Sequence, residues 1–579
     1  MASVSFDAVM RRRIDILLLF FLIAYAIVLA RLFSLQIIDH RVYAERAAAQ
    51  HHRTDEIAAL RGGMFATDKT GERIPLAVNR LRYNAVLDAE KIGDADAIIT
   101  AVASTTDAEP DQMRVAIGKN PRRAILARGI DETTMRALSG REDGGLSFEP
   151  ERYRKYVYGR TLAHVIGFIG FDGDRQVGRY GLERFYEYRL TGEGGFFDRI
   201  PFGSAGIGAL GNRIIRPPQR GADLVLTIDY NIQNQAEAAL SSAMDKWDAY
   251  SGLIIVVEPA TGRILALGAR PAFDPNGYNT ERDLSVFLNP AVEASYELGS
   301  VLKPVTMAAA IEEGRVGPET TYHDPGLVRI KGYTVENFDG KAYGIQTMTE
   351  VLQKSLNTGM VHVARLLGQE LQREYFLRFG FGEPTEVDLP GELSGNISNL
   401  SSGREIDLAT ASFGHGVAVT PIQTAMAIAA IANKGVLMRP FVVGRVVDGS
   451  GNETVTVPQP RRRVLSEKTA ETLTTMLVSA VHNGFENRAG VKGYFVAGKT
   501  GTARIPRSDG RGYYDDRVIH AFAGYAPAFA PRFLIYAQLN EPAGNRFAAN
   551  TLTPTFHDLA EFILNYYGVP PDEPGKSNE

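Results

Sequence analysis

Ser300-Val301-Leu302-Lys303 sets a hydroxyl and an amine three residues apart where an apolar helical pattern begins. Serine is a weak nucleophile at neutral pH and needs a base in hydrogen-bond contact or a strongly polarising site. Residues three apart on a helix share a face, so Ser300 at the cap and Lys303 one turn later can project side by side into a cleft. The Lys303 amine must then be neutral, which burial or a neighbouring positive charge brings about. Gly299 lets the backbone bend and approach a substrate. Pro304 falls in the first helical turn, where its missing N–H costs little. Alone the spacing says little, because a capping serine followed by an exposed lysine has the same letters.

Two further stretches, in this order, complete a three-part signature of serine acyl transfer. Ser355-Leu356-Asn357 lies between two helical patterns and reads as a loop that aims two polar side chains into one pocket. Ser355 would relay a proton, and Asn357 would hydrogen-bond a peptide substrate. Lys499-Thr500-Gly501-Thr502 follows Tyr494–Gly498 and reads as a strand. Lys499 is the candidate for the charge that keeps Lys303 neutral. A strand edge offers backbone partners to an extended peptide, and Gly501 lets it lie close. Lys499 and the hydroxyls of Thr500 and Thr502 suit a carboxylate. An oxyanion hole made of the Ser300 and Thr502 N–H groups follows if helix start and strand face each other.

Similar letters occur elsewhere. Lys69-Thr70-Gly71, Ser394-Gly395-Asn396 and Ser450-Gly451-Asn452 read as surface turns. Gly206-Ile207-Gly208-Ala209-Leu210-Gly211 matches a dinucleotide fingerprint, but no helix pattern follows, so it reads as a loop. His51-His52 is isolated from other ligand types, and His415 between two glycines reads as a loop residue near the cleft. Arg461-Arg462-Arg463 reads as a solvated face. No cofactor or metal is expected.

A chain of 579 residues exceeds one core, and 45% apolar with 22% charged residues is ordinary globular composition, so two or more domains are expected. A net charge of −4 gives no basic field for nucleic acid. The absence of cysteine excludes disulfides and thiol catalysis. Compartment is read from the N-terminus, where Arg11-Arg12-Arg13 precede an apolar run from Ile16 to Ala30 that continues to Ile38. That supplies the roughly 20 residues of a membrane span. The arginines place the first residues in the cytoplasm and everything after about residue 38 outside. The rival reading is a cleaved signal peptide at Ala24-Tyr25-Ala26.

These signals divide the chain into a cytoplasmic start and anchor over 1–38, a mixed pedestal domain over 39–220, a catalytic domain over 221–569 and a loose tail over 570–579. In the pedestal, β-like runs at 81–87 and 162–171 alternate with helical ones at 96–104 and 182–190. The catalytic domain opens with a buried hairpin, Gly252–Glu258 and Arg263–Gly268, continues with helices, and closes with strands and a last helix. That order describes an α+β fold, an antiparallel sheet closed by its terminal segments and covered by helices.

On these motifs the chain resembles the class B penicillin-binding proteins from anchor to final helix. Arg61-Gly62-Gly63 with Asp68 and Gly71 is similar to that family's Arg-Gly-x-Ile-x-Asp-Arg-x-Gly segment, from which Met64, Phe65 and Lys69 depart. Gly178-Arg179-Tyr180-Gly181-Leu182-Glu183 is similar to its Gly-x-x-Gly-Leu-Glu element. Tyr296-Glu297-Leu298-Gly299-Ser300 resembles Glu-Pro-Gly-Ser, with Leu298 where proline is usual. The resemblance implies a dimerisation-type pedestal and a periplasmic D,D-transpeptidase on the inner membrane, acting on peptidoglycan stem peptides. Ser300 would attack the penultimate D-alanine carbonyl, and β-lactams would acylate it as substrate mimics. Glycan polymerisation would fall to a membrane-embedded SEDS-type polymerase, with divisome proteins as further partners. Within the family, Ser-Leu-Asn and the chain length look more like the division-septum enzyme than the elongation enzyme. A D,D-carboxypeptidase, a β-lactamase and a silent scaffold or β-lactam sensor are the alternatives.

Overall fold

The sheet that positions the candidate residues is built from both ends of the catalytic region, as seen in a computed structural model. It describes residues 4–33, 54–139, 145–173, 175–198, 213–484, 487–507, 509 and 512–572. The chain divides into two units, Met1–Leu60 with Gly192–Arg220, and Arg61–Thr191 with Gly221–Glu579.

The first unit contains helix α1 (Val4–Phe33) and a three-stranded antiparallel sheet of Thr54–Ile57, Gly195–Asp198 and Arg213–Arg216. Leu17, Phe20, Phe21, Leu22 and Ile27 of α1 are exposed. Among the described residues no helix is long and apolar enough to cross a membrane. His51-His52 and the glycine-rich 206–211 stretch lie outside the described residues.

In the second unit, the long strand Arg73–Leu87 pairs antiparallel with Leu146–Tyr156 from Ala77↔Tyr156 to Leu87↔Leu146. Helices Ala95–Thr105, Pro110–Lys119 and Glu132–Ser139 bury Ile98, Ile99, Val102, Met113 and Leu138 in one cluster with Leu87 and Leu126. The run at 162–171, read as β-like, is instead a helical turn, Ala163–Ile166, followed by a short strand, Ile169–Asp172. A short apolar run has no decisive period. The sharp break at Gly167 is forced by packing, since a Cβ there would lie 1.8 Å from the Tyr180 carbonyl oxygen.

The two pedestal elements with family-like sequences meet each other. Arg61 donates to Glu183 and to Glu187, each at 2.6 Å, and Arg154 donates to Glu183 at 2.8 Å. Glu183 is fully buried between two guanidiniums, the pairing that a buried carboxylate requires. Strand Asp223–Asp229 pairs in parallel with Met64–Thr67 and antiparallel with Val443–Val447, so one sheet draws strands from distant parts of the chain.

Helix α2 (Tyr230–Trp247), capped by the Asp229 carboxylate, precedes the catalytic sheet. Its strands are β1 (Ser251–Glu258), β2 (Arg263–Arg270), β3 (Ala497–Pro506), β4 (Tyr513–Ala526) and β5 (Phe533–Asn540), antiparallel in the order β2-β1-β5-β4-β3. The β1–β2 pair is the buried hairpin expected from sequence. The central β5 is buried at every position, and its two polar residues are paired, the Gln538 amide donating to Asn540 at 2.7 Å. The helices in between include α3 (Lys303–Glu312), α4 (Met348–Gln353), α5 (Asn357–Leu367), α6 (Pro421–Ala432) and α7 (Glu467–Ser479), with α8 (Thr553–Tyr567) last. Capping boxes start α4, from Thr347 and Glu350, and α6, from Thr420 and Gln423. α2 and α8 pack Ile232, Leu240, Phe556 and Ile563 against Ile254, Val256 and Ile535 of the sheet.

Two readings change. The tail begins tied down, since the Phe495 N–H donates to Asp572 at 2.8 Å and the Tyr494 hydroxyl donates to the Val569 carbonyl. The arginine run at 461–463 is solvated only at Arg463, which is exposed, while Arg461 and Arg462 are half-buried and paired. Arg461 and Arg462 pair with Glu383, and Arg463 donates to the Lys434 carbonyl at 2.8 Å.

Candidate active site

Ser300 sits in a 3-10 turn, Gly299–Leu302, that runs into α3, where the sequence suggested a simple helix cap. The Lys303 N–H donates to the Ser300 carbonyl, closing that turn. In a 3-10 turn, side chains three apart eclipse, which aligns Ser300 and Lys303 more closely than an α-helix would. Ser300 lines a cleft of about 1390 Å³, while Lys303 is fully buried beneath it.

Ser355 is the hub of the site. Its hydroxyl lies 3.1 Å from the Lys303 Nζ and 2.9 Å from the Lys499 Nζ, both donating to it, and its carbonyl accepts from Lys303 as well. The residue holds φ +55°, a left-handed conformation that costs a non-glycine residue strain and turns α4 into α5. Ser355 is therefore in a loop as expected, but Asn357 is already the first residue of α5. Its amide donates to the Glu336 carbonyl at 2.9 Å.

Burial sets the electrostatics. It lowers the Lys303 amine well below an ordinary lysine, and the positive charge of Lys499 lowers it further. Burial also pushes Lys499 down to about 7. Two ammonium groups sharing one hydroxyl repel each other, so the pair keeps a single charge near neutrality, on Lys499, and Lys303 is the free base. Among the described residues the Ser300 hydroxyl has no hydrogen-bond partner, and Lys303 is engaged with Ser355.

Lys499-Thr500-Gly501-Thr502 lies on β3, the edge strand, paired only with β4 and in register Thr502↔His520. The nucleophile turn packs against one face of β3 at Gly501. A Cβ on Gly501 would lie 2.5 Å from the Leu298 carbonyl oxygen and 3.1 Å from the Val301 nitrogen, so only glycine permits this approach. Helix start and strand thus face each other as a two-donor oxyanion hole requires. Thr500 and Thr502 line the cleft with Ser300, Ser355 and Asn357, whereas Lys499 and Gly501 lie beneath its surface. The Thr502 hydroxyl accepts from the Ala548 N–H at 3.2 Å, which seats the segment carrying Phe547.

Several contributors escaped the sequence reading. Asp324, fully buried, accepts from Asn337 at 2.9 Å, from the Gly326 and Tyr343 N–H groups and from the Thr358 hydroxyl, beside Asn357. Phe338 and Phe547 meet across the cleft with ring centroids 4.8 Å apart. His415 does line the cleft. Its ring sits between Phe413 and Tyr513, with centroids 5.4 and 5.5 Å away. Only the neighbour of a recognised motif, Thr358, carried a local hint; the others come from far along the chain. Among the described residues no group of three or more His, Cys, Asp or Glu side chains is placed to hold a metal. Lys69-Thr70-Gly71 is a turn closed by Asp68, as expected, and is tethered to Tyr566.

The comparisons with known proteins agree with this geometry. Residues 252–561 match the penicillin binding protein transpeptidase domain, and residues 56–226 match the penicillin-binding protein dimerisation domain. The chain is 30% identical to stage V sporulation protein D of Bacillus subtilis, covering 98% of this chain and 87% of that protein. It is 30% identical to peptidoglycan D,D-transpeptidase FtsI of Escherichia coli, covering 95% and 91%. Penicillin binding protein 3 of Mycobacterium tuberculosis in complex with aztreonam superposes with a TM-score of 0.68 at 27% identity, over 90% of this chain and 99% of that one.

Proposed function

The chain belongs to the class B penicillin-binding proteins, and from that premise we propose that it is a serine D,D-transpeptidase cross-linking peptidoglycan stem peptides. The observation that carries this reading is the single hydroxyl of Ser355 held by two buried lysines beside Ser300 and a facing edge strand.

The donor stem peptide adds along β3, its carboxylate met by Lys499, Thr500 and Thr502 and its backbone by the Asn357 amide. Lys303, uncharged, takes the Ser300 proton as Oγ attacks the penultimate D-alanine carbonyl. The N–H groups of Ser300 and Thr502 hold the oxyanion. The proton passes by way of Ser355 to the leaving nitrogen, the C–N bond breaks, and terminal D-alanine departs. An amine of a neighbouring strand then takes the acyl group, and Ser300 recovers its proton.

β-Lactams acylate the same serine, a reading supported by the aztreonam complex of the mycobacterial relative. A septal role, with a SEDS-type polymerase and divisome proteins as partners, rests on Ser355-Leu356-Asn357 and on the likeness to FtsI of Escherichia coli. Inner-membrane anchoring through the apolar run from Ile16 to Ile38, with the catalytic region periplasmic, rests on the sequence alone, where Arg11-Arg12-Arg13 precede that run.

Intact mass spectrometry of the purified chain after incubation with a penicillin tests the central claim. A stable single adduct absent from Ser300→Ala is the expected result. Antibiotic destroyed without an adduct would mean a hydrolase, and antibiotic untouched would mean a silent protein.

A further inference from the structure

Three groups with complementary chemistry meet beside the turn that carries Ser300. Gly299, just before the nucleophile, donates its N–H to the Gly414 carbonyl at 3.1 Å, and a Cβ on Gly414 would lie 2.2 Å from the Gly299 carbonyl oxygen. His415, the next residue, is therefore held against the nucleophile turn and lines the same cleft as Ser300. Its ring is flanked by Tyr513, whose hydroxyl donates to Glu297 at 2.8 Å. The Gly416 N–H also supports the Glu297 carboxylate. Among the described residues neither ring nitrogen of His415 has a hydrogen-bond partner.

We propose that this corner of His415, Tyr513 and Glu297 receives the acceptor amine of the second stem peptide, a reading that rests on the transpeptidase assignment above. An ammonium carries three donors and no acceptor. A neutral imidazole nitrogen, an aromatic face and a carboxylate are the partners that such a group finds favourable. Burial, with Lys303 and Arg504 adding to it, pushes His415 down to about 4, so its ring stays neutral and able to accept a hydrogen bond at physiological pH. Glu297 stands behind Tyr513, bonded to its hydroxyl at 2.8 Å, and adds to the corner from there. Nearer Ser300, the charge of Lys499 and that of Arg504 on the cleft wall disfavour a second cation, so the amine sheds a proton to solvent as it approaches.

The free amine then attacks the ester carbonyl. A new C–N bond forms, Lys303 takes the second amine proton, the bond from carbonyl carbon to Ser300 Oγ breaks, and that proton returns to Oγ. The amide and the serine hydroxyl are the products. The donor occupies β3 during this step, which leaves the His415 side of the cleft for the incoming strand.

The test separates the two half-reactions in the full-length enzyme. A D-alanyl-D-alanine pentapeptide serves as donor and Nα-acetyl-lysinamide, with one free amine, as acceptor; aminolysed and hydrolysed products are quantified against acceptor concentration. His415→Phe, which keeps the ring stack, and Glu297→Gln should lower the aminolysis-to-hydrolysis ratio about tenfold or more, with penicillin acylation of Ser300 changed less than about threefold. His415→Gln, which restores a neutral acceptor, should recover most of the ratio. Loss of acylation in step with aminolysis would assign the corner to the donor and overturn the proposal, as would an unchanged ratio. A wild-type enzyme that forms no penicillin adduct would refute the transpeptidase assignment itself, and a wild type that acylates but never aminolyses would refute only the acceptor site.

Discussion

Lys303 and Lys499 share one acceptor, the Ser355 hydroxyl, at 3.1 and 2.9 Å, with both side chains buried. Two cations of ordinary basicity would not tolerate that spacing, so the pair works as one charge and one base.

The rate of penicillin acylation should therefore follow a bell in pH. It rises as pH climbs through the depressed pKa of Lys303, which frees the base. It falls as Lys499 loses its proton from about 7 upward in the free enzyme and stops holding the carboxylate. Second-order acylation rates from pH 5 to 10 check this; a flat profile would mean that Lys303 is not the base.

The same shift makes a stability prediction. Lys499 titrates near 10.5 when unfolded and at about 7 when folded, so between those values the unfolded chain holds more protons. Stability then declines as pH falls across that window, by up to about 1.4 kcal/mol per pH unit for one proton. Lys499→Met removes this slope while abolishing carboxylate binding. Denaturant unfolding at several pH values measures it, and parallel curves for wild type and variant would refute it.

Ser355→Ala removes the shared acceptor and the proton relay together. Acylation should fall by about 10²- to 10⁴-fold, the range of a lost acid–base group. Stopped-flow acylation checks it, with Ser355→Thr expected to recover part of the rate.

Gly501→Ala should push β3 off the nucleophile turn, because its Cβ would lie 2.5 Å from the Leu298 carbonyl oxygen. Overpacking of this kind costs about 1–3 kcal/mol. Acylation should fall further than stability accounts for, since the two oxyanion donors separate. Thermal unfolding alongside acylation rates distinguishes the two effects.

Glu183→Gln leaves the buried Arg154 without a counter-charge and Arg61 with Glu187 alone. Breaking a buried pair in this way costs about 3–5 kcal/mol. The pedestal should unfold at lower denaturant, read by limited proteolysis between residues 61 and 191, with acylation of Ser300 retained before that transition.

Motif spacing and hydrophobic pattern already carried the α+β architecture, the buried hairpin of β1 and β2, the closing strands and the acylation signature, because these depend on local periodicity and on residue types that few chemistries use. The Ala163–Ile166 turn, the docked start of the tail and the ion-paired Arg461 and Arg462 were misread, since each depends on partners absent from the local window. Tertiary structure alone decided which lysine carries the charge, that β3 faces the Gly299–Leu302 turn, and that Asp324 braces the start of α5. It also decided that His415 shares the nucleophile's cleft with Tyr513, nearly a hundred residues away. Desolvation and the spacing of charges are properties of what surrounds a side chain in space, and no one-dimensional pattern encodes them.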